Sequence, residues 1–372
     1  MLTSCALLKR PLIVAGAAVL LLINQGNAQQ ASQNNKYAGY ATRVIEQYIL
    51  PKSAAFQNDI NKLAAAAKAH CTAPDAKSTA AYNGAFRNAV RGLAHVDILR
   101  FGPLTQNSLA QRLAFLPDKR GATQRQLNKV LAKQDPSVTS ADSLAHKSVA
   151  LQGLVALEKL SYDTKGALRL GTSDAAGAFS CQFAIAITQR LQQSADELLR
   201  GWQDLQGYRA VLEAPSAANS EIKTHHEATE KIYNALVTAL IFDKDQIVLA
   251  VLGKSAKKAA PHKAPFARSG NAIAYLQASL EGTEQALTAG EFTASLSGTE
   301  IWVKDSLAFE FANAQRTLSK IPQPLRDSGR SAEVRKQLTY LDIVIGSLRS
   351  TLAEDLAGYL GLAGGFNSLD GD

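Results

Sequence analysis

QGLVALEKLSYD, residues 152–163, spaces its apolar side chains as a helix does and then sets one acid among them. Glu158 follows Val155 by three residues, Leu154 by four and Leu151 by seven. At 3.6 residues per turn its carboxylate falls on the apolar face. The same three-and-four spacing recurs through the Ala- and Leu-rich chain, while almost nothing alternates with a strand's period of two. That periodicity predicts an all-α protein of about ten helices with no significant β-sheet.

Working outward, helical patterns cover 37–70 (with a break or kink at Pro51), 79–101, 108–115, 123–133, 140–162 and 178–208. Gly102-Pro103 and Pro117-Asp118 act as terminators, and Ser140 or Asp142 is placed as an N-cap. The Pro- and Ser-containing stretch EAPSAANS, residues 213–220, reads as a linker. Beyond it helices are expected over 221–242, 269–287, 301–319 and 331–360, with a solvated Lys-rich loop, GKSAKKAAPHKAP, at 253–265. At 372 residues two helical-bundle halves are more natural than one core, divided as 29–215 and 216–372.

Residues 1–28 have the form of a secretory signal: Lys9 and Arg10, an apolar run from Leu12 to Ile23, then Gly26-Asn27-Ala28 before the expected cleavage. The run is short of the roughly 20 residues a membrane span needs. The expected location is the periplasm or bacterial cell envelope. Losing Lys9 and Arg10 leaves 38 basic against 32 acidic residues, so the charge falls from +8 to +6. No dense basic patch of a nucleic-acid binder is present. Cleavage also leaves two cysteines, Cys71 and Cys181, which in an oxidising compartment are most simply a disulfide.

Few residues suggest chemistry. There is no GxSxG, P-loop, CxxC or strand-bound GxGxxG. In THHEATE, residues 224–230, His226 and Glu230 are four apart, but the HExxH pattern is not met and a polar first helical turn explains the cluster. His95, one turn after Arg91, has the chemistry of a ligand or base. Asp97 lies on another face of that helix. A lone buried glutamate must be paired, hydrogen-bonded, metal-bound or protonated. For Glu158 an inter-helix hydrogen-bond network, with Arg or Tyr as partner, is the plainest solution.

Several stretches, in order, resemble the imelysin family of peptidase-like bacterial envelope proteins. They are FGPL (101–104), FLPDKRG (115–121), SVALQGLVALEKLSYD (148–163), FARSGNAIAYL (266–276) and LGLAGGFNSLDGD (360–372). The family's GxHxxE motif falls on Gly153 to Glu158, with Val155 in the histidine position. The resemblance implies two helical halves, with the motif near their junction, in an exported protein of a family linked to iron uptake and, in some members, to proteolysis. A histidine and glutamate three apart could share a metal or a proton, and valine can do neither. The leading expectation is therefore a non-catalytic protein binding a metal or small ligand between the halves in iron acquisition. Glu158 would be a metal ligand, with His95 or the terminal Asp370 and Asp372 completing the site; iron or another divalent metal is the expected cofactor. Two alternatives are a metallopeptidase and a ligand-free protein that docks on an outer-membrane receptor or other iron-uptake component.

Overall fold

The computed structural model describes residues 36–363, apart from 119 and 172–174. The expected signal peptide, Asp370 and Asp372 lie outside the described residues. Among these residues there is no strand, only an isolated antiparallel bridge between Tyr162 and Leu168. Among the described residues no helix is long and apolar enough to cross a membrane.

The longer helices are α1 (Leu50–Thr72), α2 (Ala76–Asp97), α3 (Ala122–Lys133), α4 (Gly153–Ser161), α5 (Ala175–Gln203), α6 (His225–Phe242), α7 (Ala272–Ala289), α8 (Ile301–Ser319) and α9 (Ala332–Ser350). In the N-terminal half α1 packs against both α2 and α5, and α4 lies on α5. In the C-terminal half α8 and α9 form a pair, with α6 and α7 inside them. The halves meet chiefly where α7 lies along α2. One buried apolar cluster runs from Tyr37 to Leu362. Cys71, at the end of α1, is disulfide-bonded to Cys181 in α5 with 5.7 Å between their Cα atoms.

Local chemistry explains the helix boundaries. Asp75 caps α2 in a reciprocal box: its carboxylate accepts from the Ser78 amide at 2.6 Å, and its own amide donates to the Ser78 hydroxyl. Thr224 accepts from the Glu227 amide at 3.1 Å, so α6 starts at His225 rather than at 221. Ser140 is a cap, as expected, but of a helix only five residues long, Ala141–Ala145. The continuous helix expected over 140–162 is broken: it ends at Ala145, a 3-10 turn follows at Val149–Leu151, and the next helix starts at Gly153, which sits at φ +76. A Cβ there would lie 2.5 Å from the Leu113 carbonyl oxygen. The chain instead turns at Gly153 and restarts, so Leu151 belongs to the preceding 3-10 turn.

Pro51 stands in the first turn of α1, directly after a π-helical turn at Ile45–Ile49. A residue without an amide hydrogen cannot continue the upstream ladder, and the wider turn absorbs the change of register. A second π turn, Asp243–Val248, extends α6. The Lys-rich loop is solvated in part only. Lys254, Lys257 and Lys258 are exposed, while Ala259, Ala260, Pro261 and Ala264 are buried beneath them.

Candidate functional site: a carboxylate tie and the cavity beside it

Glu158 projects from α4 and is 3% exposed. One of its oxygens, Oε1, accepts two hydrogen bonds from a single residue, from the Ser269 amide at 2.8 Å and from the Ser269 hydroxyl at 2.7 Å. Ser269 lies in the loop that leads into α7. Burial lifts the Glu158 carboxyl above its ordinary range, against the pull of the Ser269 donors and of the Arg268 and Lys159 charges. The inter-helix network expected from sequence is thus present. Its partner is a serine with a backbone amide, not the Arg or Tyr that the residue types suggested.

The loop needs such a tie. Phe266 is a bulky residue held at φ +56, a region that L residues rarely adopt. Its carbonyl accepts from the Asn271 amide at 2.9 Å and from the Ser269 hydroxyl at 3.2 Å. The Asn271 side chain in turn donates to the Ser269 hydroxyl and accepts from Arg87 of α2. Arg268 spans the same junction: it donates to the carbonyls of Lys159 and Tyr162 and to the Gln124 side chain of α3. Its own carbonyl is held by Arg326 at 2.9 Å. Glu158 therefore fixes, through Ser269, the entry of α7 and its seat on α2. Sequence reading singled out FARSGN as part of a resemblance but gave Ser269, Arg268 and Asn271 no role.

His95 is not brought to Glu158. It lies eight residues, about 12 Å, further along α2 than Arg87. Its Nε2 is 3.8 Å from Glu281 of α7, which Arg91 engages at 2.7 Å. His226 and Glu230 meet each other at 3.5 Å and hold the segment just after Leu360: His226 Nε2 is 3.0 Å from the Gly361 carbonyl, and Glu230 accepts from the Ala363 amide. Among the described residues no group of three or more His, Cys, Asp or Glu could hold a metal ion. The donor set at Glu158 does not suit one either. Hard divalent ions take several oxygen ligands. Here a single carboxylate is engaged by two protein donors, with Val155 buried one turn before it and the cations Arg268 and Lys159 as charged neighbours.

Further along α7 the junction opens into a cavity of about 180 Å³. Asp97, Ile98, Arg100 and Phe101 line it from the end of α2, Asn234, Ala235, Thr238, Ala239 and Phe242 from α6, and Tyr275 and Ser279 from α7. Arg100 grips Asp97 with two nitrogens, Nε at 2.8 Å and Nη2, and its guanidinium lies 5.0 Å above the Phe242 ring. Tyr275 donates to Asp97 at 3.0 Å. Six residues separate Tyr275 from Ser269, so the tie that seats α7 also sets this hydroxyl.

Behind the cavity, Asp243 opens the π turn of α6 and is fully buried. Neither carboxylate oxygen has a hydrogen-bond partner within 3.5 Å. Burial raises its carboxyl far above the ordinary value, weakly opposed by the nearby Ser279 hydroxyl, and the Asp97 charge adds to the rise. Above the ordinary pH of 3.8 the folded chain therefore keeps a proton that the unfolded chain releases. The resulting stabilisation is complete below that value and is lost as pH rises toward the folded value. Asp243→Asn, neutral and of the same shape, should match the wild type near pH 4 and melt higher than it at pH 8. Chemical denaturation of both proteins across that range checks this, and a wild type that gains on the variant with rising pH would contradict it. Sequence reading passed over Asp243, whose period on α6 gives no sign that the helix widens there.

Comparison with known proteins places residues 49–351 within the family described as Imelysin. Among solved structures, an imelysin-like protein from Psychrobacter arcticum superposes with a TM-score of 0.74 at 20% identity, covering 90% of this chain and 98% of its own. A protein from Parabacteroides distasonis named "putative iron-regulated protein A precursor" gives 0.64 at 13% identity, covering 86% and 95%. No curated protein matches the chain significantly.

Proposed function

The chain belongs to the imelysin family, and from that premise we propose that it is an exported, non-catalytic protein that binds a small ligand between its halves in the service of iron acquisition. The observation that carries this reading is the engagement of Glu158 by Ser269. Metal-assisted peptide hydrolysis needs ligands that leave a position open for water, and a base beside it. In this chain the one motif carboxylate ties two elements together, and a valine stands three residues before it. The cavity supplies a place for a ligand at the seam of the halves. Iron enters through the family resemblance and through the name of the Parabacteroides protein.

A second reading, docking on an envelope partner, is favoured by the apolar side chains left in solvent on α8 and α9. Phe309 is 62% exposed and Ile343 63%, with Trp302 and Tyr340 on the same two helices. Such residues are common at interfaces.

The test uses mature protein purified from the periplasm, wild type beside Glu158→Gln. Native mass spectrometry should find a retained small molecule in both, and neither should cleave an unfolded protein in a chelator-sensitive way. A stoichiometric metal, or proteolysis, that disappears in Glu158→Gln would contradict the reading.

A further inference from the structure

The cavity between α2, α6 and α7 carries its own chemical preference. Its walls are apolar on two sides, with Phe101 and Ile98 facing from α2 and its extension, and Ala235, Ala239 and Phe242 from α6. In size it compares with engineered cavities of roughly 150 Å³ that hold benzene. The polar groups at its edge are unequal. The charged acceptor is already taken: Asp97 receives two donors from Arg100 and one from Tyr275, while the Thr238 hydroxyl spends its hydrogen on the Asn234 carbonyl at 2.8 Å. Asp243 is sealed behind the wall.

One charged donor is left over. Arg100 spends Nε and Nη2 on Asp97, while Nη1 bonds no other group among the described residues. The Asn234 side-chain amide, donor and acceptor alike, bonds no other group there, and Lys231 at the rim is paired with Glu221 at 3.3 Å. A leftover guanidinium donor at the edge of an apolar chamber favours an acceptor-bearing anion over an amine. Resting on the ligand-binding reading above, we infer that this cavity binds a small monocarboxylate with an apolar body about one ring in size, its carboxylate held by the outer edge of Arg100 and its body between Phe101 and Phe242.

Asp97 is then a positioning residue. It holds the inner edge of the guanidinium so that the outer edge faces the ligand, and Tyr275 holds Asp97. The arrangement makes the pocket depend on the seat of α7, and through Ser269 on Glu158.

The experiment is isothermal titration of the full mature chain with benzoate, benzylamine and benzyl alcohol, three probes of one size and different charge. Benzoate should bind, benzyl alcohol more weakly, and benzylamine not measurably. Ala235→Phe, which fills the chamber from α6, and Arg100→Gln should each weaken benzoate at least tenfold. Circular dichroism checks that both variants are folded, and if Arg100→Gln is not, Ala235→Phe still decides. Benzylamine binding as tightly as benzoate, benzoate indifferent to Ala235→Phe, or no benzoate binding at all would each overturn the proposal. If benzoate fails while native mass spectrometry still shows a retained small molecule, the carboxylate assignment falls and the ligand-binding reading stands. Failure of both removes both.

Discussion

Gly153→Ala should cost about 2–6 kcal/mol of folding stability, enough to leave a marginal domain largely unfolded at growth temperature. Two effects add. An alanine at φ +76 is strained by about 1–3 kcal/mol whatever space surrounds it. Its Cβ would also stand 2.5 Å from the Leu113 carbonyl oxygen and 2.6 Å from that of Arg112, and these backbone atoms cannot rotate away as a side chain could. Overpacking of this kind costs a further 1–3 kcal/mol or so. The GxHxxE-like stretch that the sequence resembles begins with this glycine, and the geometry supplies a reason: the chain takes a positive φ there as α4 starts and aims Glu158 at the 264–271 loop. Urea denaturation checks the figure, with Gly84→Ala as a control. Gly84 lies within α2, and an added Cβ there meets nothing within 4 Å. The control should be neutral or slightly stabilising; equal losses in the two variants would refute the argument.

Glu158→Ala should cost about 2–4 kcal/mol, for a different reason. It removes no large apolar group. It strands the amide of Ser269 and leaves its hydroxyl only the longer bond to the Phe266 carbonyl, and an unsatisfied buried donor costs about 1–3 kcal/mol. It also frees a loop whose Phe266 is held in an unfavourable conformation. Glu158→Gln keeps an acceptor oxygen and its shape, and because burial already favours the uncharged acid, it should cost much less than the alanine. The ordering of the two variants distinguishes a hydrogen-bond tie from a charge that must be ionised to work.

The readable part of this molecule was its local part. Helical spacing, the Ser140 cap, the polar start of α6 and the two oxidisable cysteines are properties of short windows or of composition, and each appears in the structure. The break at Gly153 was hidden, because helical periodicity continues across it and only the distant carbonyl of Leu113 shows why glycine is needed. The partner of Glu158 was hidden for the same reason. It lies 111 residues away, and half of it is a backbone amide, which has no letter in a sequence. Placing His95 in the same site failed because residue type says nothing of position along a helix. Asp97 was read only as lying on another face from His95, and Asp243 was passed over because nothing in its spacing shows that its helix widens into a π turn.

The account turns on whether Glu158 and Ser269 act as one unit. A double-mutant cycle measures that directly: urea unfolding of the wild type, Glu158→Ala, Ser269→Ala and the double variant, each with and without a chelator. The tie predicts a coupling of about 1–2 kcal/mol between the two positions, unchanged by the chelator. Losses that add to within about 0.5 kcal/mol, with wild-type stability falling when metal is removed, would contradict it and return Glu158 to a metal.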